Sequence, residues 1–104
     1  MSKVEAGMNV YTELGFKDAD QMLVKAQLVV KIAQILRERG WSQQQAAKVI
    51  GVTQPKLSRM LRGQFRGISE MKIMNCLVRL GRTVKIVVGP EGEPADDRVE
   101  VVAA

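Results

Sequence analysis

Histidine is absent from the 104-residue chain, and cysteine occurs once, at Cys76. The first absence removes the commonest general base and the commonest metal ligand. The second excludes an internal disulfide and a cysteine-cluster metal site. A histidine-based hydrolase triad, a zinc finger and a disulfide-stapled secreted fold are therefore not expected. No catalytic residue, metal site or cofactor is assigned, and the reading is not that of an enzyme. No apolar run reaches the roughly 18 residues that cross a bilayer, so no membrane association is expected. The start, MSKVEAGMNV, lacks the apolar stretch of a signal peptide. Together these features point to a soluble, cytoplasmic protein.

What is present is an apolar fraction of 46%, enough for one core in one domain. The net charge is +5, but its distribution is lopsided. Residues 1–24 carry −2, residues 25–85 carry +11 and residues 86–104 carry −4. Between Glu38 and Glu70 there is no acid, while Arg39, Lys48, Lys56, Arg59, Arg62 and Arg66 all fall there. A field of one sign with acidic flanks favours a polyanionic partner. The alternative for such a field is a solvated basic surface.

Hydrophobic periodicity predicts a mainly α chain with three parts. Residues 1–18 read as an N-terminal arm that packs back through Val10, Tyr11, Leu14 and Phe16. Asp18 and Gln21 then fit a capping box. It opens a first helix over about 19–39, whose apolar positions are Met22, Leu23, Ala26, Val29, Val30, Ala33, Ile35 and Leu36. Lys25, Lys31, Gln34 and Arg37 are placed on its remaining, polar face. Gly40 stops it. Ser42 and Gln45 form a second capping box, for a short helix that ends at Gly51. Thr53 caps a third helix, with Pro55 tolerated in its first turn. Leu57, Met60 and Leu61 form its inner face, and Gly63 closes it. Ser69 caps a fourth helix carrying Ile73, Met74, Leu77 and Leu80, with Ile68 and Ile73 as a hydrophobic staple. The β-branched run from Thr83 to Val88 predicts a strand, with Val84, Ile86 and Val88 on one face. Val99–Val102 reads as a second short strand or as a disordered tail. The domain reading is thus an arm (1–18), a helical domain (19–82), and a strand with an acidic tail (83–104) serving dimerisation.

The informative stretch runs from Gln43 to Arg62. Ala47 is small where two helices would cross closely. Gly51 follows four residues later, where the chain must turn and a left-handed conformation suits glycine. Leu57 and Val52 are apolar and would plug the angle between the helices. Small residue, glycine and buried aliphatic at these offsets make the helix-turn-helix pattern. An ordinary αα-hairpin with a glycine turn is the competing explanation, and the basic, amide-rich outer face weighs against it. That face holds Gln54, Pro55, Lys56, Ser58, Arg59 and Arg62. Gln suits the adenine edge and Arg the guanine edge in the major groove. The helix starts at Gln43 and Thr53 present N–H groups that suit phosphate.

The segment WSQQQAAKVIGVTQPKLSRMLRG, residues 41–63, resembles the Cro/repressor-type helix-turn-helix regulators, also called the XRE family. The resemblance implies a lambda-repressor-like domain of four helices over about 19–81. It implies a phosphate contact at Gln43, base contacts from Gln54, Lys56 and Arg59, and backbone contacts from Thr53, Ser58 and Arg62. The family's usual fifth helix is replaced here by VKIVV, and an arm precedes helix 1. Both features resemble the short HigA-type antitoxins that accompany RelE/HigB-type toxins. The expected function is a sequence-specific transcriptional regulator, a repressor, binding a pseudo-palindromic operator as a homodimer through helix 53–62. The alternative is an antitoxin that also neutralises a toxin. Arg66, in the loop after the recognition helix, is read as a further DNA contact; Phe65 beside it either joins that contact or anchors the loop. Cys76 reads as a buried small hydrophobe.

Overall fold

The computed structural model describes residues 19–92, 99 and 101–102. The expected arm (1–18), the Asp18 cap and most of the acidic tail lie outside them. Four helices follow in order: α1 (Ala19–Arg39), α2 (Gln43–Ile50), α3 (Gln54–Leu61) and α4 (Glu70–Arg79). Each is set by the same local punctuation. Ser42, Thr53 and Ser69 accept from the backbone N–H three residues on, at 3.1, 3.3 and 3.1 Å. Each hydroxyl satisfies one of the donors orphaned at a helix start. At the other ends, Trp41, Val52, Gln64 and Arg82 each donate to the carbonyl five residues back. The glycine before each of them has positive φ, the Schellman arrangement.

α1 is the central strut, packed against α4 and α3, while α2 rests on α3 and α4. Ile32 of α1, Leu57 and Met60 of α3 and Ile73 of α4 are the largest fully buried side chains. Each helix reaches them with one stripe. On α1 the stripe is Met22, Lys25, Leu28, Val29, Ile32, Ile35 and Leu36. This corrects the expected phase: Val24, Leu28 and Ile32 are core, whereas Val30 is exposed. It also moves Lys25 from the polar face to the interior, where it is 4% exposed. Eleven of the fifteen residues from 22 to 36 are apolar, so the pattern leaves the phase open and packing against α3 and α4 decides it.

The C-terminal β-strand is not formed. Residues 82–92 have no regular structure, and no strand occurs among the described residues. Ile86, Val87 and Val88 are strongly exposed. The physical reason is that a strand exists only through ladder hydrogen bonds to a neighbour. Among the described residues the tail supplies none: Val101 N–H donates to the Gln27 side chain, Oε1, at 3.1 Å, and not to a backbone. Val84 and Val101 contribute side chains to the edge of the core instead.

Candidate nucleic-acid interface

The helix-turn-helix is α2, the turn at Gly51–Thr53, and α3. Ala46 and Ala47 are buried at its inner face, where their short side chains let the two helices approach. Gly51 stands at φ +86° and ψ 30°, and its N–H donates to the Ala47 carbonyl at 2.8 Å. A Cβ there would sit 3.0 Å from the Arg79 guanidinium. That neighbour is the flexible end of a side chain, so the backbone conformation is the stronger demand for glycine. Leu57, fully buried, fills the angle between the helices.

This packing turns one face of α3 outward. Pro55, Arg59 and Arg62, spaced i, i+4, i+7, are all exposed and lie opposite Leu57 and Met60. Gln54, exposed, opens the helix beside Pro55. Gln43 is exposed at the first position of α2. Thr53 is exposed, but its hydroxyl oxygen is already occupied as the cap of Lys56 N–H. Ser58 is half-buried on the flank of the face. Arg66 is exposed in the loop to α4. Its neighbour Phe65 is 3% exposed and belongs to the core, so Phe65 anchors the loop.

Lys56 is set apart from this group. It is half-buried and lines a groove of about 350 Å³ between the turn and α4, with Lys72, Asn75, Cys76 and Arg79. Burial pushes the Cys76 thiol above its ordinary range, and the Lys56 ammonium pulls partly the other way. The Cys76 Sγ donates to the Lys72 carbonyl at 3.3 Å. Cys76 is a buried residue of the core cluster.

Arg39, Arg79 and Lys25 each donate to a backbone carbonyl. Arg39 donates through Nη2 to the Leu80 carbonyl at 2.7 Å and lies 4.9 Å above the Trp41 ring. Arg79 reaches from α4 to the Val49 carbonyl at 3.4 Å. Lys25 donates to the Arg66 carbonyl at 2.8 Å. Lys25 is the residue that the sequence reasoning missed. Its only signal was a lysine with Met22, Leu28 and Val29, all apolar, among its neighbours at three and four positions along α1. Among the described residues no group of acidic residues and cysteine is arranged to hold a metal ion. No helix among them is long and apolar enough to cross a membrane.

An outward basic and amide-bearing helix held behind a capped, glycine-turned partner is the architecture of a DNA-binding helix-turn-helix. A helix-turn-helix domain family matches residues 10–89. A solved structure named "Putative XRE Family Transcriptional Regulator" is similar to the chain at 31% identity and a TM-score of 0.78, covering 84% of this chain and 99% of that one. No curated protein sequence matches the chain. The chain therefore belongs to the XRE-type helix-turn-helix family of DNA-binding transcriptional regulators.

Proposed function

We propose that the protein is a repressor that reads a pseudo-palindromic operator as a homodimer, with α3 in the major groove. The observation that carries this is the exposed Pro55, Arg59 and Arg62 stripe with Gln54 at its head, in a stretch without an acid from 39 to 69. An α-helix matches the groove's width of about 12 Å. Arg59 and Gln54 are then the base-reading groups, and Gln43, Thr53, Ser58, Arg62 and Arg66 hold the sugar–phosphate chain. Lys56, from the half-buried flank, serves the same face at its edge. One such helix reads few base pairs, so a two-fold dimer on half-sites about 34 Å apart supplies the rest. The surface offered to a second copy is the run Ile86, Val87 and Val88, exposed by 76%, 83% and 91%. Apolar side chains that open to water gain by mutual burial. The test is selection of bound duplexes from a random pool by the intact protein. A shared two-fold motif is expected; enrichment of no motif would refute sequence-specific reading.

A second reading adds an antitoxin role. It is favoured by the segregation of charge, with a net −4 in residues 86–104 and −2 in residues 1–24 outside the basic stretch. A RelE/HigB-type toxin acts on RNA and is basic, so acidic flanks would steer it away from the DNA face. Co-expression with the neighbouring gene product decides this. Growth rescue by the full chain, lost without residues 1–17, supports it; absence of a toxic neighbour refutes it.

A further inference from the structure

Lys25 is the only charged residue buried among the described residues. It occupies a core position on α1, one turn from Met22 on one side and from Leu28 and Val29 on the other. A buried ammonium is unfavourable unless it finds acceptors, and a methionine of similar length would fill the same slot without that penalty. What methionine cannot do is hold a carbonyl oxygen. The carbonyl that Lys25 holds, at 2.8 Å, is that of Arg66, 41 residues away.

Arg66 lies in the loop that leaves the recognition helix. The loop begins with Gly63 N–H on the Met60 carbonyl and Gln64 N–H on the Arg59 carbonyl. It ends with Ile68 N–H on the Phe65 carbonyl, just before the Ser69 cap. Two adjacent residues are gripped from inside: Phe65 by its buried side chain, Arg66 by its carbonyl. The Arg66 residue itself is exposed. The interior thus fixes the peptide from which a surface guanidinium departs, at the end of the helix that enters the groove.

We infer that Lys25 is a positioning residue for DNA binding: through the Arg66 carbonyl it aims the Arg66 side chain at a phosphate beside the groove. This rests on Arg66 being a phosphate contact, as proposed above. The full chain, Lys25→Met, Arg66→Ala and the double variant are titrated onto a mixed-sequence duplex of about 30 bp between 50 and 200 mM salt. Losing one phosphate contact lowers the slope of log affinity against log salt by about 0.9, roughly a threefold shallower fall over that range. Each single variant is expected to show that loss, and the double variant no more than Arg66→Ala alone. A lysine with a merely structural role would shift the melting temperature and leave the slope unchanged, which overturns the inference. Losses that multiply in the double variant overturn it too, while leaving the Arg66 contact standing. An Arg66→Ala chain that binds like the parent sinks the contact itself and the tether with it. Should Lys25→Met not fold, Lys25→Gln, whose amide is too short for the carbonyl, takes its place. An Arg66→Ala cost in that background equal to the cost in the parent overturns the inference.

Discussion

Arg59 and Arg62 sit three residues apart on one exposed stripe, yet different tasks are assigned to them. A guanidinium at a base edge discriminates; one at a phosphate only attracts. Arg59→Ala and Gln54→Ala should each cost about 1–3 kcal/mol on the selected operator and relax preference at one base pair. Arg62→Ala should weaken all duplexes alike and lower the salt slope by about 0.9. Competition titrations against single-base variants of the operator separate the two patterns. Gly51 presents a conformational demand, since its φ of +86° is one that side-chain-bearing residues rarely adopt. Gly51→Val should destabilise the fold by more than about 1 kcal/mol; a denaturant midpoint unchanged from the parent would refute it. At Cys76 the thiol is raised mainly by burial. A raised value favours the neutral form in the folded state. Its stabilisation is therefore full below the ordinary thiol range near 9.0 and is lost as pH rises through the shifted value. Alkylation at about pH 8 should be slow in the native protein and fast once it is unfolded.

At the scale of the helix, the hydroxyl caps and glycine stops place α3 along the chain. Thr53→Ala removes the acceptor of Lys56 N–H. It should cost about 1 kcal/mol of stability, and Thr53→Ser should restore most of it. Thermal melts of the two variants check this, with equal melts for Ala and parent counting against the cap. These elements were legible because their signals are local: Ser42, Thr53 and Ser69 sit one residue before the helices that they open, and Gly40, Gly51, Gly63 and Gly81 lie just beyond the helix ends. The strand expected at 84–88 fails to form for the converse reason. Val84, Ile86 and Val88 carry the β-branched alternation, but a strand is a relation between two segments. Nothing in one segment says whether the other exists.

At the scale of the molecule, deletion of residues 83–104 should leave α1–α4 folded, because the chief core side chains lie between Met22 and Leu80. It should also convert a dimer to a monomer in sedimentation, since the exposed Ile86, Val87 and Val88 go with it. A truncated chain that still sediments as a dimer would place the interface elsewhere, with Met71 and Val78 on α4 the most exposed large apolar side chains left among the described residues.

By itself the sequence determined the helix boundaries, the glycine turn and the basic outer face of α3. Caps, stops and one-helix periodicity act within a few residues, so they are written where they act. Only the tertiary structure decided which way α1 is turned. That choice depends on which of its apolar faces best fills the space left by Leu57, Met60 and Ile73. It alone separated the cations by place. Arg59 and Lys25 are alike as text in carrying one positive charge. The first is left on the surface because Leu57 and Met60 claim the opposite side of its helix. The second is drawn inside by a carbonyl 41 residues away, a distance over which no sequence pattern carries information but a hydrogen bond can form once the chain has folded.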